Sequence, residues 1–234
     1  MAQSPKKPSQ KQHEAMGLYA NILEEAKFRI RCVEDVLNGK ITLPSPILHD
    51  LCFLQLRFIC ELIALGCLVI HGDIKGERAK KAARDGELRK KWSADEIIER
   101  LSDLHPGFYP IPHSQTRTKI GFHLEGVSDG YLTKDDLLKL YHLCGRHLHR
   151  GSLKKLLKSP QPMQFNFPDV LAWLKKIGTL LSFHMIPLFE EGTLVLVVLR
   201  NADDNERVQV AFAAKNIDEG DNVPVVKSRD RFDD

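Results

Sequence analysis

Cysteine is scarce in this chain: five in 234 residues, none in a CxxC pair. The odd count and the spacing argue against a disulfide framework and a cysteine-based zinc cluster. Three of the five (Cys52, Cys60 and Cys67) fall in one apolar stretch, the pattern of small buried hydrophobes in a reducing compartment. Aromatic residues make up only 7%. Several motifs are missing. There is no GxxxxGK[ST], no GxGxxG, no HExxH and no GxSxG, which argues against a P-loop NTPase, a Rossmann oxidoreductase, a zincin and an α/β-hydrolase. The first residues, MAQSPKKPSQKQH, hold lysines but no apolar core, so they do not read as a secretory signal. The expectation is a cytoplasmic protein without a cofactor or a metal.

What is present reads as helices first and strands last. Residues 1–13 are expected to be a disordered basic arm. Met16, Tyr19, Ile22, Leu23, Ala26, Ile30, Val33 and Leu37 then recur at three- and four-residue steps, and Asn38-Gly39 stops the helix. A second helix, about 47–71, is the most hydrophobic segment. Asp50, Arg57 and Glu61 interrupt it, so a core helix is expected rather than a membrane span. Residues 74–91 carry eight positive charges against three acids and read as a solvated basic segment. Ser93-Ala94-Asp95-Glu96 has the form of a capping box. HPGFYPIP is expected to be a rigid extended loop with its aromatics plugging the core, and residues 116–131 a short irregular hairpin. Thr133 caps a helix that runs to about Arg150. Pro168 opens a last helix with Val170, Leu171, Leu174, Ile177, Leu181 and Met185 facing inward. LVLVVL and VQVAF flank a turn cluster and predict a β-hairpin. The expected architecture is mainly α: an antiparallel helical bundle over 14–185, a C-terminal β-hairpin over 186–216 appended to it (α+β), and a flexible tail over 217–234.

Two constellations carry chemistry. In LLKLYHLCGRHLHRG, His142, Arg146 and His149 fall at steps of four and three on one side of a helix. No acid occurs from Leu137 to Ser159, while Lys139, Arg146, Arg150, Lys154, Lys155 and Lys158 give six positive charges. Arginine offers a rigid fork of donors for phosphate oxygens, and a histidine beside it can move a proton near neutral pH. A solvated basic helix face accounts for the same residues without any ligand. His142, His147 and His149 do not have the i, i+4 spacing of a helical metal pair. In the core helix, Arg57 and Glu61 stand one turn apart and can pair. The pair is either a buried structural bridge or the border of a cleft in which Glu61 orients His149 and Arg146.

A long first helix, a core helix with Arg57 and Glu61, and a late Arg/His helix ending in LHRG resemble the HEPN superfamily over about residues 14–185. The chain is also similar to bacterial proteins with a CG-x-x-LH segment, matched here by Cys144, Gly145, Leu148 and His149. The resemblance implies a small antiparallel helical fold and a homodimer. Active members are metal-independent ribonucleases with an Arg four to six residues before a His; here Arg146 and His149 are three apart. The leading expectation is a binding protein. It would contact an anionic ligand, RNA or a protein through Arg146 and His149, with His142, Arg57, Arg150, Lys154 and Lys155 contributing. The enzymatic alternative is a metal-independent endoribonuclease using Arg146, His149 and Glu61. A third reading is an interaction scaffold whose strand Leu194–Leu199 adds to a partner's sheet.

Overall fold

The computed structural model describes residues 8–71, 93–118, 121–149, 166–188, 192–214 and 225–226. The fold is mainly α with an antiparallel sheet assembled largely from the C-terminal part. Helix α1 spans Gln10–Leu37. It begins earlier than expected, because Ser9 and Gln12 form a reciprocal capping box. The Ser9 Oγ accepts from the Gln12 backbone N–H at 3.3 Å, and the Gln12 side chain accepts from the Ser9 N–H at 2.8 Å. Residues 10–13, assigned to a disordered arm from composition, are therefore helical; two satisfied amide donors outweigh their polarity. The inward stripe is as the periodicity requires: Met16, Tyr19, Leu23, Ala26, Ile30 and Val33 are all buried. Gly39, at φ +69°, closes the helix.

Helix α2, Ser45–His71, is long and apolar enough to cross a bilayer by length and hydropathy alone, but more than half of its most apolar 18-residue window is buried inside the protein. It packs along α1 and against two later helices, α3 (Ala94–Leu104) and α4 (Lys134–Leu148). Cys52, Leu56, Ile59, Cys60, Ile63 and Cys67 form the centre of the core. All five cysteines are free thiols, four of them buried. At α3 the expected capping box does not form. Ser93 is the N-cap residue, yet its hydroxyl makes no cap bond and donates to the Asp95 carboxylate instead. At α4 the expected cap is present, with the Thr133 hydroxyl accepting from the Asp136 N–H at 3.1 Å. Asp135 and Asp136 occupy the first turn, where the helix dipole favours acids.

Helix α5, Phe167–Ser182, buries Val170, Leu174, Ile177, Leu180 and Leu181, whereas Leu171 is exposed. It ends before Met185. Residues Phe183–Pro187 form strand β3 directly after the helix, so Met185 belongs to a sheet and not to a helical stripe. The chain there satisfies both periods, and pairing with strand β4 (Thr193–Asn201) decides it, in the register Phe183↔Val198 to Pro187↔Leu194.

The C-terminal hairpin forms where expected, from β4 and β5 (Arg207–Ala214), but it does not stand alone. HPGFYPIP runs into strand β1 (Ile111–Thr118), which pairs with β2 (Gly121–Gly126) and, through Ile111 and Pro112, with β3. With the two-residue strand β6 (Val225–Val226), the sheet order is β2-β1-β3-β4-β5-β6, antiparallel throughout. Strand β4 lies between β3 and β5, so Leu194–Leu199 is an interior strand with no open edge for a partner. That removes the basis of the strand-addition reading at this position. Phe108 plugs the core as expected, and the Tyr109 hydroxyl donates to the Leu132 carbonyl at 3.0 Å. The hairpin is fastened to α1. Asn205 and Glu206 both adopt left-handed backbone at its turn. The Lys27 ammonium donates to the Glu206 carbonyl at 2.6 Å, and the Glu24 carboxylate accepts from the Val208 N–H at 2.8 Å.

Candidate functional site

The polar cluster of the helical bundle lies where α2 meets α4. Arg57 and Glu61, one turn apart on α2, form the expected ion pair, Nε to Oε1 at 3.2 Å, with side chains 22% and 18% exposed. Their burial is completed from α4. Arg57 Nη2 donates to the Tyr141 hydroxyl at 2.7 Å, and the guanidinium carbon sits 4.2 Å from the centre of the Tyr141 ring. One arginine thus makes an ion pair, a hydrogen bond and a cation–π contact, which offset the cost of taking its charge partly out of water. One turn beyond Tyr141 stands Gly145. A methyl group there would lie 3.3 Å from Arg57 Nη1.

Burial pushes the Glu61 carboxyl above the usual carboxylate range, against the pull of Arg57 and a hydrogen bond with Tyr141. The Tyr141 hydroxyl is likewise raised by burial, with a Ser93 hydrogen bond and Arg57 opposing. Asp95 goes the other way. Burial would raise it, but the Ser93 hydroxyl, the Glu96 N–H and the nearby His142 imidazole hold it below its ordinary value. The cluster therefore joins α2, α3 and α4 through Arg57, Glu61, Tyr141, Ser93, Asp95 and His142.

On the outer side of α4, His142, Arg146 and His149 are all exposed, as the steps of four and three require. Helix α4 ends at Leu148, two residues short of the expected end at about Arg150. His149 is its C-cap, extended, with its N–H bonded to the Gly145 carbonyl at 3.1 Å. His147 turns inward. Its ring stacks on Phe53 at 4.0 Å and meets His49 edge-on at 5.3 Å, and His49 in turn meets Phe167. Burial, then His147, lowers the basicity of His49. Lys139, counted with the basic run, is paired with Asp136 at 3.7 Å.

Of the expected site residues, Arg57 and Glu61 are brought together, and His142, Arg146 and His149 share an open face. No hydrogen bond or ion pair joins Glu61 to His149 among the described residues; Glu61 is engaged with Arg57 and Tyr141 instead. Arg150, Lys154 and Lys155 lie outside the described residues. No group of three metal-ligating side chains occurs among the described residues. Tyr141, Gly145, Ser93 and Asp95 were not singled out from sequence as site residues. Tyr141 belongs to the buried stripe of α4 with Leu137, Leu140 and Cys144; its hydroxyl, at the polar tip of a buried ring that needs a partner, is the available signal. Chemically, the arrangement is an open helix face of two imidazoles and one guanidinium, backed by a second guanidinium held by Glu61 and Tyr141. Compared with known proteins, the chain matches no family model, no curated protein and no solved structure.

Proposed function

We propose that this protein is an RNA-binding module whose α4 outer face holds the phosphate backbone, in keeping with a HEPN-like origin and with a homodimer that would present two such faces to one strand. One observation carries the reading. Arg146 is exposed between exposed His142 and His149, and no carboxylate pairs with it among the described residues. The helix dipole accounts for a cation at this helix end, but not for three cationic or cation-forming side chains on one open side with no acid in the surrounding sequence from Leu137 to Ser159. Successive steps of four and three residues separate them by about 6 and 4.5 Å along the axis. That suits a strip that tracks a single strand.

Binding of a labelled single-stranded RNA should weaken steeply with salt, by a slope of about −0.7 in log K against log salt for each phosphate contact. Arg146→Ala should cost about tenfold in affinity at low salt, near the worth of one charge-assisted hydrogen bond, and flatten the slope by about 0.7. Absence of binding at low salt, or an affinity indifferent to salt, would sink the proposal. The same RNA incubated in EDTA reads the enzymatic alternative. Cleavage that disappears in both Arg146→Ala and His149→Ala would make this face a ribonuclease centre, and intact RNA would leave it a binding face.

A further inference from the structure

One side of helix α2 stays partly open to solvent along its length. The buried side, with Cys52, Leu56, Ile59, Cys60, Ile63 and Cys67, faces the core. The opposite side is an apolar strip centred on Phe58. Leu54, Leu51 and Ile47 stand four, seven and eleven residues before it, and Leu62, Leu65 and Val69 stand four, seven and eleven after it. On a helix those steps return to within about 40° of one line. Leu62 is nearly covered, Ile47 is 51% exposed, and the others are half-buried. The strip therefore reads the same in both directions from Phe58.

Helix α1 continues the face on one side. Tyr19 lies against Gly66, and Arg29 donates to Gln55 at 3.0 Å while its guanidinium sits 4.3 Å from the centre of the Phe58 ring. The two helices thus run antiparallel, and the level of Phe58 falls between Glu25 and Arg29 of α1. Those two form an ion pair beside the strip, with side chains 48% and 21% exposed. Leu18, eleven residues before Arg29 and so on the same flank, is 51% exposed at the level of Leu65 and Val69. The β4–β5 hairpin is fastened to the other flank of α1, through Glu24 and Lys27, and leaves this one open.

We propose that this face binds a second copy of the chain, with α2 antiparallel to α2 across a two-fold axis at Phe58. A two-fold interface must be complementary to itself, and the strip is: Leu54 meets Leu62, Leu51 meets Leu65, and Ile47 meets Val69. The same axis carries the exposed Ile47 of one copy onto the exposed Leu18 of the other. It also sets Glu25 of each copy opposite Arg29 of the other, so two ion pairs become a ring of four alternating charges. From Ile47 to Val69 the strip is about 33 Å long. With the flank of α1 beside it, it is about 20 Å wide. The area, on the order of 650 Å² per copy, approaches the roughly 800 Å² that each partner contributes to a standard interface. The result is a four-helix arrangement of two α1–α2 hairpins. It supplies the surface that a homodimer needs and does not depend on RNA binding, which the α4 face can perform from either state.

Sedimentation equilibrium of the full chain tests this. Wild type should show twice the chain mass of 26.6 kDa. Leu18→Glu and Ile47→Glu each change a half-exposed side chain that the single chain can spare, and each carries a carboxylate into the interface twice. Either should weaken the dimer about a hundredfold or more, with circular dichroism unchanged. The register has its own test. Arg29→Glu alone sets like charges opposite each other, and so does Glu25→Arg alone, so each variant should be monomeric. Mixed in equal amounts they should form a dimer of one copy of each, because opposite charges then meet at both contacts. A monomeric wild type means that the strip is covered from within the chain or meets lipid, and overturns the proposal. A dimer that survives Leu18→Glu and Ile47→Glu places the contact elsewhere. A mixture that stays monomeric rejects the antiparallel register. RNA affinity, measured separately, decides the reading of the α4 face whichever way these results fall.

Discussion

Gly66→Ala will destabilise this protein by roughly 3 kcal/mol, the upper range for overpacking a well-filled core. The sign is opposite to that of most glycine-to-alanine changes within a helix, which gain about 0.5–1 kcal/mol. The reason is the approach of α1 to α2. A methyl group at Gly66 would stand 2.6 Å from Tyr19 Cε2 and 3.1 Å from Cδ2. The Tyr19 ring cannot slide away cheaply. It is 2% exposed, and its hydroxyl bonds to His184 Nε2 at 2.8 Å on the far side. Retreat breaks that buried bond; staying forces α1 and α2 apart along a shared core. Gly178, in α5, is the control, because a methyl group there would meet nothing within 4 Å. Urea unfolding of both variants reads the contrast: a midpoint lowered by Gly66→Ala and raised by Gly178→Ala. A Gly66→Ala protein as stable as wild type would mean that the Tyr19 ring is not held where the structure places it.

Nothing in ALGCL within an apolar helix announces that Gly66 is the contact point for a tyrosine 47 residues earlier. That limit recurs throughout the chain. Much of what depends on neighbours three or four residues away was legible: the α1 stripe from Met16 to Val33, the Thr133 cap, the Arg57–Glu61 pair, and the exposure of His142, Arg146 and His149 together, though not the Ser9–Gln12 capping box or the absence of one at Ser93. Whatever depends on distant pairing was not. Phe183 to Pro187 carries a helical step from Leu181 to Met185 and also a period-two alternation, and only the partner strand resolves such ambiguity. The first two residues of β1 read as loop because two prolines flank Ile111, yet it is through just Ile111 and Pro112 that the expected hairpin, which begins at Ile111 and not at 116, joins β3. At the candidate site, the pairing of Arg57 with Glu61 was written in their spacing. The Tyr141 hydroxyl, 84 residues from Arg57, was not, and its presence turns a helix-surface ion pair into a fixed guanidinium.

Acid will unfold the protein through two histidines that the fold holds neutral. His184 is fully buried between Tyr19 and its own helix end. Its Nδ1 donates to the Leu181 carbonyl at 3.2 Å, so Nε2 is left to accept from the Tyr19 hydroxyl, and the uncharged tautomer is fully used. Burial pushes its pKa down to about 4. His71, bonded through Nε2 to the Phe108 carbonyl at 3.1 Å, is lowered to about 4 by burial and then by His105, whose ring centre is 5.2 Å away. Both folded values lie below the ordinary 6.5. Between those limits the unfolded chain takes up protons that the folded chain refuses. The stabilisation is therefore complete above about pH 6.5 and is lost as the pH falls toward 4. At full extent it is on the order of 3 kcal/mol for each histidine, a large share of the stability of an ordinary domain. Glu61 opposes this weakly, since a carboxyl raised in the folded state favours folding as it protonates. Urea unfolding at pH 7, 5.5 and 4.5 should show stability falling by several kcal/mol. His184→Gln, which has no proton to gain, should show about half the slope whatever its stability at pH 7. A wild-type profile flat from pH 7 to 4.5 would mean that the folded state accepts these protons, and that the Tyr19–His184 bond is not the closed, uncharged pair described above.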